Sequence, residues 1–361
     1  MEEQFCMDIR VEKTAPDLLK VKPDENSLGF GQHMADHMFV MLYDDKIGWH
    51  DAVIRPYGNF SLDPAAMVLH YGQAIFEGLK AYRGKDDKIY LFRPTDNLKR
   101  MNVSAARMCM PEIPEDFVYS AMKKLVGLDK DWVPRADGAT LYIRPTMVAS
   151  EAGLGVRPAK KYIFFIINCP VGAYYPEGFN PVKIFVTDKY VRAVAGGVGN
   201  VKTAGNYAAS IMAAVEAQKQ GYTQVLWLDA IERKYIEEVG TMNIFFLIED
   251  ELITPPLSGS ILPGITRDSV LRLTKDWGLR VSEKKITIDD VLTANEKGQL
   301  QEIFGTGTAA VITPVGQLNY KGRVCTINNG KTGELAQKLF DELQAIQNGY
   351  KKDPYGWVVE V

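Results

Sequence analysis

The chain is poor in cysteine, histidine and long apolar runs, and neither sign of charge is in large excess. Its 361 residues include four cysteines, Cys6, Cys109, Cys169 and Cys325, none of them in a Cys-x-x-Cys pair. Thiols this sparse and scattered cannot form a disulfide framework, and they point to a reducing, cytoplasmic setting. There are four histidines. His33 and His37 are four apart, but Met34 stands where the zinc-protease pattern needs glutamate, so no metal site is expected. The longest apolar run, YIFFIIN at 162–168, is far short of the roughly 20 residues a membrane-spanning helix requires. Residues 1–20 carry Glu2, Glu3, Asp8, Glu12 and Asp17 and no apolar core, so neither a secretory leader nor an arginine-rich transit peptide is expected. Lys and Arg number 42 against 45 Asp and Glu, a formal net charge of -3. That balance supplies no basic surplus for nucleic acid or an anionic membrane. Small molecules and other proteins remain as partners.

What is present is the composition of a folded protein: 46% hydrophobic, 10% aromatic and 24% charged residues. At roughly 150 residues per domain, the length predicts two domains. The first 30 residues, with Pro16 and Pro23, read as a mobile or wrapping arm. Patterning predicts strands at 38–43, 88–92, 139–149 and 161–169. It predicts helices at 65–80, behind Asp63 and Pro64, at 95–107, capped by Thr95, and at 115–128. The stretch PVGAYYPEGFNP at 170–181 holds three prolines and two glycines and reads as a linker. It separates a domain of residues 1–170 from one of residues 182–361, with 171–181 as the interdomain loop. Downstream, strands are predicted at 182–187, 223–229, 235–246, 252–254, 301–304 and 309–313. Helices are predicted at 206–220, 266–277, 288–296 and 333–347. Strands this numerous exceed a simple βαβ ladder, so the second domain reads as α+β or barrel-like.

Several motifs fail on a single residue. The glycine cluster Gly196-Gly197-Val198-Gly199-Asn200-Val201-Lys202-Thr203-Ala204-Gly205 has Val201 where a phosphate loop needs glycine before Lys-Thr. Gly330-Lys331-Thr332 fails at Cys325, where the first glycine belongs. Gly305-Thr306-Gly307-Thr308-Ala309-Ala310 fits a dinucleotide pattern, but no acidic residue stands about 20 positions later. Val311 and Ile312 continue it as strand, so it reads as a turn with bare backbone amides. No G-x-S-x-G elbow occurs.

Lys202 itself stands out, among small and apolar neighbours at a helix start. Loss of hydration there would lower its pKa and make it a nucleophilic amine; the alternative is a loop lysine with its head in water. Tyr207 comes next at short spacing. In KYIEEVGTMNIFF (234–246), Glu237 and Glu238 must point to opposite faces of a strand. One is expected in solvent, and the other can enter a site where a cation meets it.

Taken together these segments resemble the branched-chain amino acid aminotransferases, pyridoxal-phosphate enzymes of fold type IV. The resemblance covers nearly the whole chain after the arm. It is carried by Phe30-Gly31, Leu69-His70-Tyr71, Phe76-Glu77-Gly78-Leu79-Lys80 and Leu91-Phe92-Arg93-Pro94 through Arg100. Further segments are Leu141-Tyr142-Ile143-Arg144-Pro145, CPVGAY at 169–174, the cluster 196–207, EVGTMN at 238–243, 254–257 with 261–266, and 304–309. It implies a two-domain α/β fold, with a smaller N-terminal α/β domain and a larger C-terminal pseudo-barrel domain that binds the cofactor. It also implies roles. Lys202 matches the lysine that forms the Schiff base with pyridoxal 5'-phosphate and then shuttles a proton. Glu238, rather than Glu237, matches the partner of the pyridinium nitrogen. Tyr207 matches the phenol on the ring oxygen. Arg100 matches the phosphate anchor, helped by the amides of Ile265 and Thr266 at a helix start. Thr241 and Thr308 are implied as further cofactor contacts. Phe30, Phe76, Tyr142 and Tyr174 look like walls of an apolar substrate pocket, with Tyr71 lent by the second subunit of a homodimer. Amides near Thr308 and Ala309 look like the anchor of the substrate α-carboxylate, and Arg144 like the receiver of a second carboxylate.

The implied activity is exchange of the amino group between leucine, isoleucine or valine and 2-oxoglutarate. One departure is visible: animal members carry Cys-x-x-Cys just after this turn, where Ala310 and Thr313 stand here. A D-amino-acid transaminase or aminodeoxychorismate lyase of the same fold would resemble fewer of these segments. A non-catalytic relative would be expected to lack Lys202 or Glu238.

Overall fold

The described part of the N-terminal arm is fixed by polar contacts to His37 and Asp36. The computed structural model describes residues 7–172 and 179–361. Residues Arg10–Val11 (β1) pair in parallel with β3 (Gly48–Pro56), which pairs with β2 (His37–Asp44). The Thr14 amide donates to His37 Nε2 at 2.9 Å, and the Lys20 amide to Asp36 Oδ1 at 2.9 Å. Asp36 also accepts from Trp132 Nε1 at 2.7 Å, while His37 Nδ1 meets Asp129 Oδ1 at 2.6 Å. Of the two readings of the arm, wrapping holds for its described part.

The chain divides into two units. One comprises Met1–Tyr174, Lys202–Ala204 and Ala345–Val361; the other comprises Tyr175–Val201 and Gly205–Gln344. The C-terminal segment therefore leaves the expected 182–361 domain, because Val358–Glu360 pairs antiparallel with β6 (Ile89–Phe92). Lys202–Ala204 joins the first unit because Thr203 bridges Ile75. These returns carry Lys202–Ala204 and Ala345–Val361 into the first unit.

In the first unit the sheet runs β1-β3-β2-β8-β7-β5-β6 and then Val358–Glu360, with β4 (Ala74–Phe76) on β7. Here β5 is Leu79–Arg83, β7 Thr140–Ala149 and β8 Lys161–Val171. The expected helix over 65–80 needs correction. Asp63 does mark a turn, its Oδ1 accepting the Ala65 amide at 2.7 Å. However, α1 spans only Met67–Tyr71, since Gly72 at φ 61 ends it in the left-handed region. The chain then continues as β4 and β5. Helix α2 (Pro94–Arg107) begins after Arg93 rather than at a Thr95 cap, with Pro94 in its first turn. It buries Leu98, Met101 and Ala105, and α3 (Glu115–Leu128) buries Val118, Met122 and Leu125. These three- and four-residue spacings place one apolar face of each helix in the core with Phe39 and Phe164.

In the second unit the path is β11-β10-β9-β16-β15-β12-β13-β14, with β17 on β16. The strands are β9 (Val182–Val186), β10 (Gln224–Leu228), β11 (Ile236–Val239), β12 (Asn243–Ile248), β13 (Glu251–Thr254), β14 (Arg280–Glu283), β15 (Leu300–Gly307), β16 (Val311–Tyr320) and β17 (Arg323–Thr326). The helices are α4 (Ala204–Lys219), α5 (Ile265–Asp276), α6 (Ile288–Glu296) and α7 (Glu334–Gln347). The expected strand at 235–246 is two strands, broken where Val239 and Met242 exchange backbone hydrogen bonds of 2.9 Å across Gly240 and Thr241. That turn joins the first and sixth strands of the path, so the sheet curls into a half-barrel. Stacked Phe245 and Phe304 rings, 5.3 Å apart, fill its core. Among the described residues no helix is long and apolar enough to cross a membrane.

Asp36→Ala removes two acceptor bonds that hold the arm and Trp132. Each bond to a charged acceptor is worth about 1.5–3 kcal/mol. The expected outcome is a lower unfolding midpoint and trypsin cleavage after Lys20 or Lys22 under conditions where the native chain is intact. Unchanged proteolysis would contradict the anchoring.

Candidate active site

Lys202 stands two residues ahead of α4 and is held by its backbone on both sides. Its amide donates to Ser104 Oγ at 3.1 Å, and its carbonyl accepts from the Phe76 amide at 3.0 Å. The next hydroxyl, Thr203 Oγ1, donates to the Ala74 carbonyl at 3.0 Å. With the main chain fixed, the ammonium comes to rest 4.8 Å from the centre of the Phe76 ring. A cation over a ring face is attracted by the ring's quadrupole. Arg144 approaches the same ring, its Cζ 4.6 Å from the centroid, and donates from Nη2 to the Tyr142 hydroxyl at 3.0 Å. The buried Arg144 Nε has no hydrogen-bond partner among the described residues. Phe30 meets Tyr142 edge-on at 5.0 Å. Tyr142 can reach this place because residue 78 is glycine: a Cβ there would lie 1.9 Å from its hydroxyl. Phe30, Phe76, Tyr142, Arg144 and Lys202 are thus gathered in the first unit. Cys169 packs beside Tyr142, and burial pushes its thiol up from the usual range.

Arg100, on α2, is paired with a residue to which the sequence reading gave no role. Its Nε and Nη2 hold the two oxygens of Glu77 at 2.7 and 2.9 Å. Glu77 is 0% exposed. It also accepts from Asn97 Nδ2 at 2.8 Å. Burial by itself pushes this carboxyl up, but Arg100, Lys202 and Asn97 together bring it below the ordinary carboxylate range. An acid between apolar residues is the available signal, hidden by the mistaken helix over 65–80.

The second unit gathers a different set around β11. Glu238, 3% exposed, accepts from Asn243 Nδ2 and the Leu262 amide, each at 3.1 Å, and is ion-paired with Arg192. Arg192 was also missed, although it too lies between small apolar residues. Its Nη2 donates to the Gly199 and Ser260 carbonyls at 2.8 and 2.7 Å. Glu238, Tyr207, Thr241, Arg192 and Leu262 line one pocket. The expectation that one of the two glutamates faces solvent is wrong: Glu237 is 7% exposed. Ser260 donates its hydroxyl to this buried carboxylate. Burial pushes the Glu237 carboxyl up.

Ile265 and Thr266 open α5 behind Gly264, where the first backbone amides lack partners inside the helix. Thr308 and Ala309 lie in the turn between β15 and β16, whose ends pair at Gly307 and Val311, as the turn reading of that motif anticipated. Tyr71 is 41% exposed, with its hydroxyl on the Leu154 carbonyl and its ring 6.2 Å from that of His70. Neither partner belongs to the group gathered around Phe76. Tyr174 lies outside the described residues.

Residues 74–318 match the family described as amino-transferase class IV. The chain is 56% identical to branched-chain-amino-acid aminotransferase 2 of Bacillus subtilis (strain 168), over 98% of its own length and 97% of that relative. Among solved structures, the branched-chain aminotransferase from the thermophilic archaeon Thermoproteus uzoniensis with norvaline superposes with a TM-score of 0.75 at 27% identity, covering 90% of this chain and 99% of that one. The T.th. branched-chain amino acid aminotransferase with pyridoxamine 5'-phosphate also gives 0.75, at 26% identity over 89% of this chain and 97% of that one. On a family match across most of its length and a relative identical at more than half of nearly all positions, this chain belongs to the class IV amino-transferases.

Proposed function

We propose that the protein is a transaminase that exchanges the amino group of leucine, isoleucine or valine with 2-oxoglutarate, using pyridoxal 5'-phosphate. The observation that carries this reading is Lys202, fixed at both backbone groups, with its amine over the Phe76 ring that Arg144 also approaches. Pyridoxal phosphate supplies an aldehyde for amine capture and a ring that accepts electron density. Each unit by itself holds groups of the kind such a molecule needs: a buried acid ringed by donors in the second, and a fixed arginine and lysine in the first. Lys202 would hold the cofactor and carry a proton once its amine is released. Arg100, the Ile265 and Thr266 amides, Thr241 and Thr308 would hold phosphate. Glu238, kept in place by Arg192, Asn243 and Leu262, would keep a proton on the ring nitrogen, and Tyr207 would donate to the ring oxygen.

For substrate, Phe30, Phe76 and Tyr142 offer apolar surface, and Tyr174 is assigned to the same pocket by resemblance. The Thr308 and Ala309 amides would take the α-carboxylate. Arg144, whose Nε has no hydrogen-bond partner among the described residues, would take the second carboxylate of glutamate. The exposed Tyr71, beside exposed Leu69 and Leu154, supports a homodimer in which Tyr71 serves the partner's site. The free thiols of Cys109, Cys169 and Cys325 support a cytoplasmic setting.

Lys202→Ala should abolish borohydride-trapped cofactor, read by intact mass, and lower turnover by at least about 100-fold. A trapped adduct in that variant would sink the assignment. Arg144→Ala should raise KM for glutamate by roughly 10- to 100-fold, the worth of a charged hydrogen bond, and leave KM for leucine within about twofold. Equal changes would remove Arg144 from that role.

A further inference from the structure

We propose that Glu77 is a positioning residue for phosphate recognition: it fixes the guanidinium of Arg100, so that affinity for a phosphorylated cofactor depends on it while affinity for the same ring without phosphate does not. The inference rests on the reading of Arg100 as phosphate anchor and adds the residue that aims it. Glu77 is given no role of its own by the family resemblance.

The geometry restricts both partners. A two-point contact through Nε and Nη2, at 2.7 and 2.9 Å, fixes the plane of the guanidinium as well as its position. Glu77 is itself held from a second direction. Its Oε2 accepts from Asn97 Nδ2 at 2.8 Å and from the Gly78 amide at 3.1 Å. Asn97 also donates to the Gly78 carbonyl at 3.2 Å. Asn97 and Arg100 are three apart on α2, hence on one face of that helix. One carboxylate therefore ties two positions of α2, three residues apart, to the connection between β4 and β5. Glu77 has no exposure and the Arg100 side chain only 10%, so neither charge is free to follow solvent.

Stability alone is a poor reason to build this. Two charges removed from water regain through pairing about what their desolvation costs, and well-packed apolar residues of the same volume often serve as well or better. Preorganisation is a better reason. An arginine held in its binding orientation has already lost the rotamer freedom that a phosphate would otherwise have to remove. The placement of Glu77 agrees with this. The residue before it, Phe76, lies under Lys202 and Arg144, and the residue after it, Gly78, admits the Tyr142 hydroxyl. A shift of Glu77 would disturb Phe76 and Gly78, its neighbours in the chain.

The test compares pyridoxal 5'-phosphate with pyridoxal, which keeps the aldehyde and the ring but has no phosphate. Dissociation constants are measured by absorbance titration of the apo-protein for the native chain, Glu77→Gln, Glu77→Asp and Arg100→Gln. Both Glu77 variants should weaken pyridoxal phosphate by roughly 10- to 100-fold, and leave pyridoxal within about twofold. The aspartate variant keeps the charge but falls one methylene short, and it carries the test if the glutamine variant fails to fold. Combining Glu77→Gln with Arg100→Gln should add little to Arg100→Gln alone, because both act on one contact. Equal weakening of both ligands, or additive losses in the double variant, would overturn the proposal. If the native chain and Arg100→Gln bind pyridoxal phosphate equally, the reading of Arg100 fails instead.

Discussion

A carboxylate stripped of water stays ionised where positive charge and hydrogen-bond donors meet it, and each unit of this chain contains such a group. In the first, Glu77 holds Arg100 by two points and is braced by Asn97. In the second, Glu238 is met by Arg192, Asn243 and the Leu262 amide. Each acid determines where an arginine can stand. On Arg192 the Ser260 and Gly199 carbonyls then bring in backbone from other segments. Buried pairs of this kind contribute little net stability, so their worth lies in fixing positions.

The same logic explains why Lys202 needs a rigid main chain. A lysine side chain is long and flexible, and its head can be placed only if its root is fixed. Ser104, Phe76 and Ala74 supply that root through three hydrogen bonds to Lys202 and Thr203. The Phe76 ring then offers one face to two cations, Lys202 and Arg144, at 4.8 and 4.6 Å. Lys202 and Thr203 are thus held by β4 and α2, a constraint that the residues next to them in the sequence do not show.

Much of this is legible in the amino-acid sequence. Helices α3 and α6 fall on the predicted residues, since each shows a complete apolar repeat with its ends marked. Lys202 and Glu238 stand out from their neighbours. The failures have physical causes. Asp63 and Pro64 are genuine start signals, but a single left-handed glycine at 72 stops the helix after five residues, and periodicity cannot show a φ angle. The strand over 235–246 hides its turn for a similar reason. Strand alternation separates Glu237 from Glu238, yet it says nothing of Ser260, which donates to the first. Glu77 and Arg192 escape notice because their partners are distant in sequence, 23 residues away for Arg100 and 46 for Glu238. The return of Val358–Glu360 to β6 likewise depends on a pairing that no local pattern encodes.

The proposed chemistry stands or falls with Glu238, and not its neighbour, as the acid that serves the cofactor ring. Stopped-flow absorbance of the cofactor-loaded enzyme on mixing with leucine tests this most directly, comparing Glu238→Gln with Glu237→Gln. The first substitution should slow the absorbance change by at least about 100-fold, as expected when a proton needed in the transition state is lost, while the second stays within a few-fold of native. Equal slowing by the two substitutions, or slowing by Glu237→Gln alone, would contradict the assignment.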